Sequence, residues 1–258
     1  MKLKLYGVMG SISGGTSDLG INTTCLVLSS NDKDLILDSG TGILNYMRSV
    51  NESSYHILLS HYHLDHIQGF PFIPQLYDTS NIIKLYGPNF NNNSVKNEVL
   101  GFIREPYLPI KREHILADLR STDLSEGVSY LINGFEVKAL KVPHPGGSYI
   151  YTIKADGLKM SFLSDFPNGM DLNESVIDFC SNSDLIYTDA MFLEKELKDT
   201  TLLEYGHSSV EGAIKFFKKT KSKKLMIGHH NTFRNFDDLK QYESKDIIIA
   251  KENEDITI

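Results

Sequence analysis

Cysteine is scarce: Cys25 and Cys180 are the only two in 258 residues. That excludes a disulfide scaffold and makes a reducing cytosol the expected compartment, with both thiols read as small buried hydrophobes. No apolar run approaches the length of a membrane-spanning helix. The opening stretch Met1–Gly10 is too short and too interrupted for a signal peptide, so no membrane association is expected. An excess of positive charge is also missing. The 26 basic side chains face 33 acidic ones, a net charge of −7, which argues against broad binding of nucleic acid or anionic lipid. Six lysines between Lys215 and Lys224 read as a solvated helix face. Without a repeat, a low-complexity tract or a Pro/Gly/Ser-rich linker, one domain over residues 1–258 is expected.

What is there is an apolar fraction of 41%, enough to build a core. Short runs rich in Ile, Val, Leu, Tyr and Phe, bounded by Gly, Asn, Asp or Pro, read as strands. They are Lys2–Val8, Thr24–Leu28, Asp34–Leu37, Tyr55–Ser60, Asn81–Tyr86, Phe135–Val142, Ser148–Lys154, Lys159–Leu163, Leu185–Tyr187, Lys224–Ile227 and Asp246–Ala250. Helical patterns cover Gly42–Val50, Val95–Arg104, Leu172–Cys180, Ser208–Thr220 and Phe236–Tyr242. Asn91–Asn93 marks a loop. Ser208-Ser209-Val210-Glu211 has the spacing of a helix start, followed by Val210, Ala213, Ile214 and Phe217 on one face. A sheet core covered by helices is expected.

The strongest chemical signal is Ser60-His61-Tyr62-His63-Leu64-Asp65-His66, directly after an apolar run. Neutral imidazoles and a carboxylate at a strand-to-helix junction suit Zn²⁺, Mn²⁺ or Fe²⁺. His144, Asp165 and His229 each follow a further predicted strand, where the edge of a sheet can gather distant residues. The set divides into His61, His63 and His144 for one ion and Asp65, His66 and His229 for the other, with Asp165 bridging.

The His-x-His-x-Asp-His run, the later His, Asp and His, and the Asp38-Ser39-Gly40-Thr41-Gly42 turn resemble the metallo-β-lactamase superfamily. The resemblance implies a four-layer αββα sandwich with a dinuclear metal site, two Zn²⁺ per chain with Mn²⁺ as a substitute. Gly7–Ile12, Asn22–Cys25, His66–Phe72 and Gly206–Ser209 are similar to the phosphodiesterase branch that includes tRNase Z and small cyclic-nucleotide phosphodiesterases. Within it the chain resembles the anti-Pycsar phosphodiesterases of phages and their bacterial homologues. Asp165 stands where one class of zinc β-lactamases carries Cys, and His63 where di-iron oxidoreductases carry Glu. Antibiotic hydrolysis and redox chemistry are therefore disfavoured. The stretch Asp189–His207 is short and no segment resembles the long tRNA-gripping arm, so a compact substrate is preferred.

The resemblance implies hydrolysis of 3′,5′-cyclic nucleotides (cCMP and cUMP, with cAMP and cGMP) to 5′-monophosphates, countering antiphage defence in a host cytoplasm if the chain is phage-encoded. Expected roles are His207 as leaving-group acid, Asp189 as its orienting carboxylate, Asp65 in catalysis as well as metal binding, and Asp38 as a partner fixing a ligand histidine. Gly146 and Gly147 are candidates for backbone approach to the phosphate, with turn formation an equal explanation, and Tyr107 and Tyr149 are expected to pack, with stacking on a base as the alternative. Arg112, in the segment Tyr107–His114, is a candidate phosphate contact and part of a closing surface. Relatives of this branch pair near the active site, so a homodimer is expected, with no stable nucleic-acid complex. The alternatives are a tRNase Z-like RNA endonuclease or other cyclic phosphate diesterase, and a non-catalytic metal-binding module. A structural zinc closed by four ligands would not need His207.

Overall fold

Alternating burial builds two sheets. Strand by strand, β1 (Lys2–Gly7), β2 (Cys25–Ser30), β3 (Lys33–Leu37), β4 (Ser54–Leu58), β5 (Ile82–Pro88) and β6 (Asp118–Leu124) form the first. It is edged by β14 (Asp255–Thr257) from the far end of the chain, in the order β14-β1-β2-β3-β4-β5-β6. The second consists of β7 (Ser129–Ile132), β8 (Phe135–Val142), β9 (Ser148–Ala155), β10 (Leu158–Leu163), β11 (Leu185–Asp189), β12 (Leu225–Gly228) and β13 (Ile247–Ile249). Its order is the reverse of chain order. The computed structural model describes residues 1–258 apart from 16, 91, 168–173 and 199 and the side chain of residue 200. Leu172 and Asn173 of the expected fourth helix, and Asn91 of the expected loop, lie outside the described residues.

Six helices complete the sandwich: α1 (Ile43–Ser49), α2 (Leu64–Ile67), α3 (Val95–Gly101), α4 (Glu174–Cys180), α5 (Val210–Thr220) and α6 (Phe236–Leu239), among the described residues. Between the sheets lie Leu5, Leu26, Leu37, Phe135, Val137, Tyr151, Ile153 and Phe162, all fully buried. A second cluster joins Ile36, Ile57, Ile83 and Leu85 on the outer face of the first sheet to Ile43 and Tyr46 of α1 and Val95 and Val99 of α3. Ala213 and Phe216 seat α5 on the second sheet, and its start is capped by Ser209, whose hydroxyl accepts from the Gly212 amide at 3.1 Å. The layers are thus helix, sheet, sheet, helix, a metallo-β-lactamase fold.

Each expected strand is present. Three strands were not expected, β6, β7 and β14, and α2, implied by the strand-to-helix junction at His61–His66, was given no range. No helix among the described residues is long and apolar enough to cross a membrane.

Strand direction decides where the chemistry collects. β3, β4 and β5 are parallel, as are β10, β11 and β12. β8 pairs antiparallel with β9, and β9 with β10, so β8 runs with β10. The C-terminal ends of β3, β4, β8, β10, β11 and β12 therefore open onto one edge of the sandwich.

Candidate metal centre

At that edge, each strand hands over one or more polar side chains. β3 ends into Asp38, β4 into Ser60–His66, β8 into His144, β10 into Ser164 and Asp165, β11 into Asp189, and β12 into His229. One group of potential ligand atoms joins His61, His63, His144 and Asp165, and a second joins Asp65, His66 and His229, each with all its atoms within 4.8 Å of one another. Asp165 links them. Its Oδ2 lies 3.4 Å from both His61 Nε2 and His144 Nε2, and its Oδ1 lies 3.1 Å from His66 Nε2. Asp65 Oδ2 lies 3.4 Å from His66 Nε2 and 3.7 Å from His229 Nε2, and it also accepts from the Ser11 amide at 2.7 Å.

Four atoms in this cluster are buried without a hydrogen-bond partner: Nε2 of His61, His66 and His229, and Oδ1 of Asp165. Orphaned polar atoms are costly in a protein interior, and several converging on one point fit cations. Imidazole nitrogens with carboxylate oxygens are the donor set of zinc, with manganese compatible. Burial, then the nearby His61, pushes His63 down to about 4. Burial likewise takes His144 down to about 3, against the pull of Asp165. Both are therefore neutral at physiological pH, the form a metal ligand requires. Burial opposes the charge on Asp165, but His229, His66 and His61 hold its carboxyl well below the usual range.

Asp38 binds no open space. Fully buried at φ 59, it accepts at Oδ1 from the Ser60 amide (2.7 Å) and at Oδ2 from Ser60 Oγ (2.9 Å), His66 Nδ1 (2.8 Å) and Ser164 Oγ (3.0 Å). With Nδ1 so engaged, His66 presents Nε2 to the centre. Ser60 Oγ also lies 3.0 Å from His61 Nδ1, so one carboxylate orients a histidine of each group. Thr24 Oγ1 is 3.1 Å from His229 Nδ1, and the Tyr187 hydroxyl accepts from the His229 amide at 3.2 Å, holding a backbone at φ 51. Ser60, Ser164, Thr24, Tyr187 and Ser11 escaped sequence reasoning. Only Ser60 and Ser164 carry a signal, each standing immediately before a ligand.

His207 faces a cleft of about 460 Å³ walled by Ser11, His63, Asp65, Asp165 and Tyr205. Its Nδ1 lies 3.0 Å from Asp189 Oδ2, and the ring stacks on His229 at 5.1 Å. Burial opposes its charge, but the Asp189 carboxylate raises it to about 9. Cations bound at Asp165 and Asp65 would lower that value and leave the Asp189 pairing as the remaining support. Asp189 is fixed by the amides of Met191 (2.9 Å), Ser208 (3.1 Å) and Phe166 (3.3 Å).

Gly146 and Gly147 line a smaller adjoining cleft with His61, His63, Phe90 and Glu98. Arg112 lines neither cleft of the single chain, and its guanidinium donates to the Leu100 carbonyl at 3.2 Å, near the C-terminus of α3 where orphan carbonyls need donors. Tyr149 packs into the core, as expected. It is buried between Phe90 and Tyr151 and is not free to stack on a base. Tyr107 is exposed beneath the Arg104 guanidinium. His230 turns away from the centre, with Nε2 2.9 Å from the Ala250 carbonyl.

The family model described as "Beta-lactamase superfamily domain" matches residues 36–230, which span every ligand candidate. The chain belongs to this superfamily. As a metallo-β-lactamase superfamily hydrolase it is similar to a Ribonuclease Z of Nanoarchaeum equitans, 23% identical over 85% of this chain and 83% of that protein. Among solved structures it resembles the metallo-beta-lactamase fold protein YhfI from Bacillus subtilis (20% identity, TM-score 0.76, 99% of this chain and 98% of the other). It also resembles a diphosphatase of the PhnP family (13% identity, TM-score 0.77, 100% and 97%).

Proposed function

We propose that the protein is a dinuclear metal-dependent phosphodiesterase that opens 3′,5′-cyclic mononucleotides, cCMP and cUMP among them, to 5′-monophosphates. The observation that carries the reading is the pairing of an acid, His207 on Asp189, with a two-group ligand cluster across one small cleft. A pair of divalent ions in such a cluster lowers the pKa of water toward 7 and screens phosphoryl charge during in-line displacement. Attack by water forms a new P–O bond and breaks the P–O3′ bond. With Nδ1 committed to Asp189, His207 has Nε2 as the nitrogen that gives its proton to the departing 3′ oxygen. Asp189 holds the ring and supports its charge, and Ser11 holds Asp65 from above.

A compact substrate is supported by the size of the cleft and by the segment from Asp189 to His207, whose described residues form short turns at Glu196–Lys198 and Thr200–Tyr205. The same reading includes a homodimer, since the segment Tyr107–His114 is largely exposed beside α3 and free to pair. Likeness to Ribonuclease Z favours a second reading, processing of RNA ends. A hydrolysis panel separates them: cyclic mononucleotides, cyclic dinucleotides, a 3′-extended tRNA and bis-p-nitrophenyl phosphate. Turnover of cyclic mononucleotides with an intact tRNA is the expected result. Cleavage of the tRNA alone moves the assignment to RNA, and silence across the panel with metal bound leaves a non-catalytic metal-binding module.

A further inference from the structure

The cleft beside His61 and His63 has features that neither metal binding nor proton transfer uses. It measures about 150 Å³ and shares His63 and Pro145 as lining with the larger cleft, so the two adjoin. One wall is the Phe90 ring, held edge-to-face by Tyr149 at 5.0 Å. Gly147 packs against it: a Cβ there would fall 2.9–3.1 Å from that ring, and the residue adopts φ +87, so only glycine fits this close approach. The remaining feature is the carboxylate of Glu98.

Glu98 is half-buried on a helix fixed at both flanks. The Val95 amide donates to Asp123 Oδ1 at 2.9 Å, Ser94 caps the helix start, and Lys96 Nζ donates to the Leu119 carbonyl at 2.9 Å. No described residue pairs with the Glu98 carboxylate. Beside an anionic phosphate a carboxylate is repulsive. Its position is productive only if the adjoining part of the substrate offers N–H donors, because an ionised carboxylate only accepts.

We infer that this cleft takes the nucleobase and that Glu98 accepts from its exocyclic amino group, so that Glu98 is a specificity-determining residue. The inference rests on the cyclic-nucleotide reading above. Cytosine offers its N4 amino group to such an acceptor, whereas uracil presents a carbonyl oxygen at that position. cCMP is therefore the preferred pyrimidine substrate, by about tenfold or more in kcat/KM over cUMP, the range set by one hydrogen bond to a charged group.

The test compares kcat/KM for cCMP and cUMP in the wild-type protein, Glu98→Gln and Glu98→Ala, with calorimetric titration of 5′-CMP and 5′-UMP into each protein. Melting temperature and metal content serve as checks on folding. The cCMP preference should fall by about tenfold in Glu98→Ala, with a matching loss of CMP affinity, and at least as far in Glu98→Gln, whose amide N–H donates to the uracil oxygen and raises UMP affinity. Equal wild-type rates on cCMP and cUMP overturn the inference without any variant. An unchanged ratio and unchanged CMP affinity in folded Glu98→Gln also overturn it, leaving the phosphodiesterase reading intact. Turnover of bis-p-nitrophenyl phosphate with neither cyclic nucleotide hydrolysed overturns that reading, and this inference with it.

Discussion

Removing the Asp38 carboxylate strands Ser60, Ser164 and His66 at once, because all three donate to it. Asp38→Ala should weaken metal retention by roughly 10–100-fold, the usual effect of losing a partner that orients a ligand. Dialysis against graded chelator followed by elemental analysis measures this, and wild-type retention would contradict the assigned role. His207→Ala is different: the ring shares a close group with Asp165 and His229, but its Nδ1 is committed to Asp189 at 3.0 Å, so metal should stay bound while turnover falls by about 10²–10⁴. Loss of metal in that variant would make His207 a ligand instead.

A pH-dependent stability term lies far from the centre, at His56. Burial first, then Lys84, pushes His56 down to about 4, while its ring stacks on Tyr86. In the unfolded chain it takes up a proton below about 6.5. The folded protein resists that proton, so stability is full above 6.5 and falls as pH drops toward 4. His56→Gln should flatten part of this slope. Melting temperatures at pH 7 and pH 5 for both proteins provide the check, and identical losses would discount His56.

At the scale of elements, the short helix α2 carries Asp65 and His66 beneath the Ser39-Gly40 turn. The Ser39 amide donates to the His66 carbonyl at 2.7 Å, and the Gly69 amide to the Ser39 carbonyl at 3.1 Å. A Cβ on Gly69 would lie 2.2 Å from the Gly40 carbonyl oxygen, a backbone atom that cannot step aside. Gly69→Ala should therefore push α2 outward, at a cost of about 1–3 kcal/mol, and loosen metal binding with it. Gly101 in α3 is the contrast, since a Cβ there meets nothing within 4 Å. Gly101→Ala should be neutral or stabilising by about 0.5–1 kcal/mol. Denaturant unfolding of both variants tests the pair, and equal effects would discount the close approach.

The elements also show which sequence signals were readable. Strand β8 alternates buried and half-buried residues from Phe135 onward and announces itself. Strand β6, Asp118-Leu-Arg-Ser-Thr-Asp-Leu, does not, because as the sheet edge it buries little beyond Leu124. Helix α2 has only four residues, too few for a helical period.

For the whole molecule, the ligand cluster predicts about two transition-metal ions per chain, zinc before manganese. Elemental analysis of the purified protein checks this, and a metal-free protein whose activity no added metal restores would remove the mechanism. The dimer proposal predicts twice the 29.1 kDa chain mass by light scattering at working concentration. A monomer mass would refute it.

The sequence by itself determined the fold family, the positions of most strands and the metal-ligand candidates. Those candidates are short polar interruptions directly after apolar runs, and a local pattern of that kind survives without tertiary context. Only the tertiary structure decided the support around them. Ser60, Thr24, Tyr187 and Ser11 acquire meaning by meeting residues elsewhere in the fold, and no spacing along the chain encodes those meetings. It also set Arg112 against a carbonyl near a helix end, and brought Glu98, an ordinary helix carboxylate in the sequence, beside Phe90 and Gly147 in one cleft.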